Sequence, residues 1–135
     1  MTYLLDTNVC IRFLNGTHPA IAAQMRATAP TDIALCSVVK AELLFGARRS
    51  SHVQANLQLL ARFFQPFACL AFDDRCAEEA GQIRATLADQ GNPIGPNDVL
   101  IAATARAHDA TLVTHNQNEF SRVTGLRLED WETPD

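Results

Sequence analysis

Residues 3–14 read Tyr3-Leu4-Leu5-Asp6-Thr7-Asn8-Val9-Cys10-Ile11-Arg12-Phe13-Leu14, and this stretch decides the fold. An apolar run as short as Tyr3 to Leu5, closed at once by Asp6, Thr7 and Asn8 ahead of Val9 to Leu14, reads as a buried strand followed by the cap of a helix. The carboxylate of Asp6 therefore stands at the carboxyl end of the first strand. In an open parallel α/β sheet that edge is where ligands bind, so partner acids should reach it from later loops and helix starts.

The rest of the chain repeats the alternation. Helices are expected over Val9 to Leu14 and Pro19 to Ala29, broken by Asn15 and Gly16, then a strand over Ile33 to Cys36. Ser37 is placed to cap a helix from Val38 to Arg49, and a partner helix over Val53 to Phe64 stops at Pro66. A third strand over Phe67 to Phe72 leads to Asp73 or Asp74, either able to cap a helix to Asp89 whose Ala77, Ala80, Ile83 and Leu87 recur at helical spacing. Gly91 to Asn97, rich in glycine and proline, precedes an alanine-rich helix over Asp98 to His108. A fourth strand over Thr111 to Thr114, a helical turn over Asn118 to Val123, a last strand over Leu126 to Leu128 and an acidic tail from Glu129 to Asp135 complete the chain. Short strands alternating with longer helices predict an α/β fold, a three-layer sandwich with a central parallel sheet of about four to five strands flanked by helices.

The 135 residues suit a single domain over 1–135, with a 47% hydrophobic share and a 19% charged share that exclude disordered, collagen-like and coiled-coil classes. No run reaches the roughly 18 apolar residues of a membrane span, and the N-terminus lacks the basic region of a signal peptide, so a cytoplasmic protein is expected. Cys10, Cys36, Cys69 and Cys76 form no C-x-x-C pair and read as small buried side chains rather than a zinc site or disulfide framework. The net charge of −4 does not announce a nucleic-acid binder, but acids that hold divalent cations count as negative until the metal arrives.

Four acids stand at strand ends or on the helices that follow them: Asp6, Glu42, Asp98 and Glu119. Glu42 has Val38, Val39, Phe45 and Gly46 one turn away, a largely apolar face on which an unpaired charge needs compensation. Asp98 opens a helix, where the dipole favours the ionised carboxylate. After the fourth strand Glu119 is the one nearby carboxylate, while Thr114 and Asn116 offer a hydroxyl and an amide oxygen; His115 has no second histidine at a metal-binding spacing. An all-oxygen cluster suits Mg²⁺ or Mn²⁺, and its natural chemistry is phosphoryl transfer.

With these residues in hand, the chain resembles the PIN-domain family, in particular the VapC-type toxins of bacterial toxin–antitoxin pairs. The resemblance rests on Leu5-Asp6-Thr7-Asn8, Ser37 to Gly46 with Glu42 central, Gly81-Gln82-Ile83-Arg84, Gly95-Pro96-Asn97-Asp98, and Leu112 to Asn116 with Glu119-Phe120, in that order and spacing. It implies a Mg²⁺- or Mn²⁺-dependent endoribonuclease, usually a homodimer, that inhibits translation until a VapB-type antitoxin covers the site. By position, Asp6 and Asp98 match the family's metal-holding aspartates and Glu42 the acid between them. Many members carry an acid where this chain has Asn116, so either Glu119 supplies the charge or Asn116 orients a ligand or water. The resemblance also implies structured RNA as substrate, with transfer RNA, and its initiator species, the leading choice.

Arg12, Lys40, Arg48, Arg49 and Arg84 are the candidate phosphate contacts, able to position an RNA backbone without reading bases. The apolar hairpin with Leu57, Leu60, Phe63 and Phe64 either packs internally or receives an antitoxin helix. Two other functions fit parts of the pattern. A binding-only PIN-like module without nuclease activity would tolerate Asn116. A phosphoacceptor receiver-like signalling domain would use Asp73 or Asp74 and Thr114, but needs a lysine after a fifth strand, and the only lysine is Lys40.

Overall fold

In the computed structural model, which describes residues 1–133, strands and helices alternate along the chain. In order they are β1 (Tyr3–Leu5), α1 (Thr7–Asn15), α2 (Pro19–Ala27), β2 (Ile33–Cys36), α3 (Ser37–Arg48), α4 (Val53–Phe64), β3 (Ala68–Leu70), α5 (Asp74–Asp89), α6 (Pro96–Ala107), β4 (Thr111–Val113), α7 (Gln117–Phe120) and β5 (Leu128–Glu129). A single 3₁₀ turn, Pro30–Asp32, leads into β2. Pro134 and Asp135, the end of the acidic tail, lie outside the described residues.

The five strands form one parallel sheet in the order β3-β2-β1-β4-β5. Tyr3 pairs with Ile33 on one side and Thr111 on the other, so β1 is central. The chain steps from β1 outward to β2 and β3, then returns across the sheet to β4. With right-handed crossovers, that reversal puts α1 to α4 on one face and the α5–α6 hairpin on the other. The reversal point lies between β1 and β4, whose carboxyl ends open the crevice where ligands bind in such sheets.

Burial explains the composition of the central elements. Leu4, Leu5, Leu35, Leu112 and Val113 are sealed from solvent between the helical layers. Helix α6 buries Val99, Ile101, Ala102, Ala103, Thr104 and Ala105, so it is enclosed nearly all round. Small side chains there let both the sheet and α5 approach closely. On α4, Leu60 and Phe63 are buried, and the half-buried Leu57 and Phe64 pack against the same core.

Several sequence expectations need correction. The third strand is Ala68–Leu70 rather than Phe67 to Phe72, because it is an edge strand paired only with β2. Cys69 on that edge is exposed, unlike the buried Cys10, Cys36 and Cys76. Ser37 does not cap α3; it is the first helical residue, with Cys36 in the flanking position. Helix α6 starts at Pro96 rather than Asp98, since proline fits a first-turn position that needs no donor. The last strand lies at Leu128–Glu129, where Arg127 and Glu129 carbonyls receive the amides of Leu112 and Thr114.

Candidate active site

The carboxyl ends of β1 and β4 hold the site together through two threonines. The Asp6 amide donates to the Val113 carbonyl at 2.9 Å, which extends the β1–β4 ladder by one residue and fixes Asp6 at the crevice. Asp6 is buried, with only 6% exposure. Its Oδ1 accepts from the Thr7 amide at 2.8 Å, and its Oδ2 accepts from the Thr114 hydroxyl at 2.8 Å. The Thr7 hydroxyl in turn donates to Glu42 Oε1 at 2.6 Å. A pair of residues 35 apart in sequence is thus joined by a hydroxyl, and the compensation that Glu42 requires comes from Thr7 rather than from a cation. The half-buried Glu42 lies between buried Val39 and Leu43 on one side and exposed Phe45 and Gly46 on the other.

A second relay runs through β4 and α7. The Thr114 hydroxyl that donates to Asp6 also accepts from the Asn116 amide at 3.0 Å. The Asn116 side chain caps α7, its Oδ1 accepting from the Glu119 amide, and its Nδ2 donates to Glu119 Oε2 at 3.1 Å. Asn116 therefore orients Glu119, and Glu119 brings the charge to the cleft.

Electrostatics report the convergence. Burial pushes the Asp98 carboxyl up, followed by a hydrogen bond with Glu119 and the charges of Asp6, Glu119 and Glu42, to about 7. Burial also raises Asp6, opposed by its bonds to Thr114 and Thr7 and by the Arg12 charge, and reinforced by Glu42. Asp98 thus lies within reach of the charges of three acids from three other segments, and Asp6 within reach of one, as expected of carboxylates that line one hollow. Their oxygens stay spread: among the described residues, no three of these acids bring ligand atoms within 4.8 Å of one another. An all-oxygen donor set of this kind, with carboxylates held open by neutral hydroxyl and amide donors, fits a hard divalent cation that keeps several waters.

The cleft beside the acids has a volume of about 780 Å³ and is lined by Thr7, Glu42 and Asn97 together with the apolar Ile11, Phe45, Phe72 and Leu100. Of the candidate phosphate contacts, Arg12 is the one whose charge helps hold the Asp6 carboxyl down. Its guanidinium is held by Glu132 at 2.8 Å, a residue of the C-terminal tail 120 positions away. The Lys40 ammonium lies 4.9 Å from the Phe64 ring centroid, engaged in a cation–π contact. Arg48 and Arg49 are exposed at the far end of α3, and Arg84 is exposed on α5. His115 faces the tail instead of the acids, with Nδ1 3.0 Å from Asp130. Asp73 accepts from the Cys76 amide as the cap of α5, and with Lys40 on Phe64 the receiver-like arrangement of acid and lysine is not assembled.

Sequence reasoning overlooked the role of Thr7 and the hold of Glu132 on Arg12. The first had a visible signal, a hydroxyl residue directly after the strand-end acid. The second had none, because nothing local ties the tail to α1.

The sequence matches the PIN domain family over residues 3–126. It is 40% identical to the tRNA(fMet)-specific endonuclease VapC of Shigella flexneri, over 97% of this chain and 98% of that one. It is 37% identical to ribonuclease VapC2 of Rickettsia felis, over 98% and 99% of the two chains. Among solved structures, a chain of Rickettsia felis VapBC2 bound to a promoter DNA fragment superposes with a TM-score of 0.90 at 37% identity, covering 97% of this chain and 99% of that chain. A chain of DNA-bound VapBC from Salmonella typhimurium superposes with a TM-score of 0.91 at 34% identity, covering 97% and 98%.

Proposed function

Because the chain belongs to the PIN-domain family, as a VapC-type ribonuclease toxin of a toxin–antitoxin system, we propose that it is a Mg²⁺- or Mn²⁺-dependent endoribonuclease that cuts transfer RNA, the initiator species foremost, and thereby inhibits translation. The observation that carries this reading is the hydrogen-bonded relay from Glu42 through Thr7, Asp6, Thr114 and Asn116 to Glu119 at the carboxyl ends of β1 and β4, with the Asp98 carboxyl raised beside it by burial, a hydrogen bond with Glu119 and the charges of Asp6, Glu119 and Glu42. The choice of substrate is supported by the 40% identical relative, named for its action on tRNA(fMet).

In this reading Asp6, Glu42 and Asp98 hold the cation, with Glu119 as the fourth acid. When bound, the cation supplies neutralisation of charge at the scissile phosphate and acidification of the attacking water. The chain's own residues supply orientation. Thr7 and Thr114 fix the two oxygens of Asp6, the Thr7 hydroxyl turns Glu42 toward the same hollow, and Asn116 holds Glu119 beside Asp98. Donors locked by packing in this way need no rearrangement when the phosphate arrives. Arg12 is the cation best placed to meet an incoming phosphate, once Glu132 yields it.

The partner we assign is a VapB-type antitoxin, since the similar Rickettsia and Salmonella structures are of VapBC. Exposed Ile11, Phe45 and Phe72 line the cleft and give an apolar partner segment a footing beside the acids. A homodimer acting in the cytoplasm, where its substrate resides, completes the proposal. No helix of the described residues is long and apolar enough to cross a membrane.

The test is cleavage of purified initiator transfer RNA by the purified chain. Cutting in Mg²⁺ or Mn²⁺ that stops in EDTA and in Asp6→Asn supports the proposal. Cutting that persists in Asp6→Asn overturns the assigned site, and tight RNA binding without cutting would make the chain a binding-only module.

A further inference from the structure

Away from the acidic cleft, at the end of α6 opposite Asp98, three donors of different chemistry meet. Asp73 caps α5, Cys76 lies in the first turn of α5, and His108 closes α6. A carboxylate oxygen, a sulfur and a ring nitrogen from these residues all lie within 4.8 Å of one another. Cys76 is sealed from solvent, His108 is half-buried and Asp73 is exposed, so the group opens to water on one side only. Its members come from two segments that the sequence keeps apart and the antiparallel packing of α5 on α6 joins.

Independent bonds aim these side chains at one place. Asp73 Oδ1 accepts from the Cys76 amide at 3.1 Å. Cys76 Sγ and His108 Nε2 both approach the Ala71 carbonyl oxygen, at 3.5 and 3.1 Å. The thiol and the imidazole N–H both donate to this carbonyl, so a sulfur, a ring nitrogen and an oxygen already gather at one point. The last carbonyls of α6 add the negative end of its dipole, which favours a cation, while the start of α5 presents its positive end, which favours the Cys76 thiolate over the thiol; one of the α6 carbonyls, that of Ala107, is taken by Arg75 at 2.6 Å.

We propose that Asp73, Cys76 and His108 form a binding site for a thiophilic divalent transition-metal ion, Zn²⁺ by chemical preference. Sulfur with imidazole selects Zn²⁺ over Mg²⁺, in contrast to the all-oxygen cleft. Tetrahedral bonds of about 2.0 to 2.3 Å place donors about 3.3 to 3.8 Å apart, a contraction of about 1 Å that side-chain rotation can supply. On binding, the Cys76 thiol gives its proton to solvent, the His108 ring stays neutral as its proton moves through solvent from Nε2 to Nδ1 and turns the freed Nε2 lone pair to the ion, and the Ala71 carbonyl or a water fills the fourth place. The ion would pin the corner between β3 and α5 to the end of α6. Asp98 stands about 15 Å away along that helix, so the site acts on the stability of the scaffold and takes no part in cleavage.

The test uses the metal-free full-length chain with Co²⁺ as a spectroscopic substitute for Zn²⁺. A thiolate-to-cobalt charge-transfer band is expected that saturates at one ion per chain, is bleached by Zn²⁺ and is indifferent to Mg²⁺. Zn²⁺ should also raise Tm by mass action. Cys76→Ser should abolish the band, His108→Ala should weaken Co²⁺ binding by more than about tenfold, and Cys69→Ser, at the exposed cysteine, and Asp98→Asn, in the cleft, should leave it intact. Should Cys76→Ser not fold, His108→Ala decides the matter, because that ring reaches the surface. Absence of a thiolate band, survival of unweakened binding in His108→Ala, or loss of the band in Cys69→Ser would overturn the proposal.

Discussion

Replacing Asp98 with asparagine should make the metal-free protein more stable while it destroys the cleft. The native Asp98 carboxyl ionises at about 7 instead of the ordinary 3.8, which corresponds to about 4 kcal/mol of discrimination against its charged form. Asp98 is only half-buried, and solvent screening reduces this to about 2 kcal/mol. The sign follows from proton binding. Between about 4 and 7 the folded chain holds a proton that the unfolded chain has released, so stability falls as pH rises through that window and the deficit is complete above it. Asp98→Asn removes the deficit because the amide never charges. In EDTA at pH 8 its Tm should exceed that of the wild type by about 6 °C for a chain of this length, and the gap should close as pH is lowered toward 4. Excess Mg²⁺ should restore the wild type and leave the variant unmoved. Thermal melts across that pH range, with and without Mg²⁺, read all of this. A variant less stable than wild type at pH 8 in EDTA, or a difference that ignores pH, would refute the idea that the acids crowd Asp98.

Thr114→Val keeps the shape of a buried side chain but removes the donor to Asp6 and the acceptor for the Asn116 backbone amide; a loss of about 1.5 to 3 kcal/mol in chemical denaturation is expected, together with a higher Mg²⁺ concentration needed for half-maximal cleavage. Glu132→Gln should release Arg12 and raise RNA affinity at low salt with the gain vanishing at high salt, whereas Arg12→Ala should weaken binding and lessen its salt dependence by about one counterion. Replacing Phe120, the fully buried last residue of α7, with alanine should cost about 3 to 5 kcal/mol of stability, and Glu119 should lose its anchorage with it.

Much of this architecture was legible because local patterns carried it. The run Tyr3 to Leu5 ending in Asp6 announced the carboxyl end of a strand, and the alanine-rich run after Asp98 announced a helix, though its burial nearly all round emerged only from the packing. The placement of Glu42 on an apolar face announced that a partner must exist. The identity of that partner was not legible, since a hydroxyl donated by Thr7 leaves no periodic trace. Asn116 showed the same limit: its departure from the family's usual acid was visible, but the hydrogen bond its side chain donates to Glu119 depends on how α7 turns. Cys69 was misjudged because an edge strand and a central one share the same composition, and only the sheet order distinguishes them. The meeting of Cys76 with His108, and of Arg12 with Glu132, arises from packing between distant segments, where residue type gives no warning.

The central claim is that Asp6, Glu42, Asp98 and Glu119 gather around one divalent cation. A crystal of the full-length chain soaked in Mn²⁺, measured for anomalous scattering, tests it most directly. A peak bounded by the carboxylates of Asp6, Glu42 and Asp98, and lost in Asp6→Asn, is the predicted result. A cleft without a peak in crystals whose other sites take up Mn²⁺, or Mn²⁺ found only beside Asp73 and His108, would contradict it.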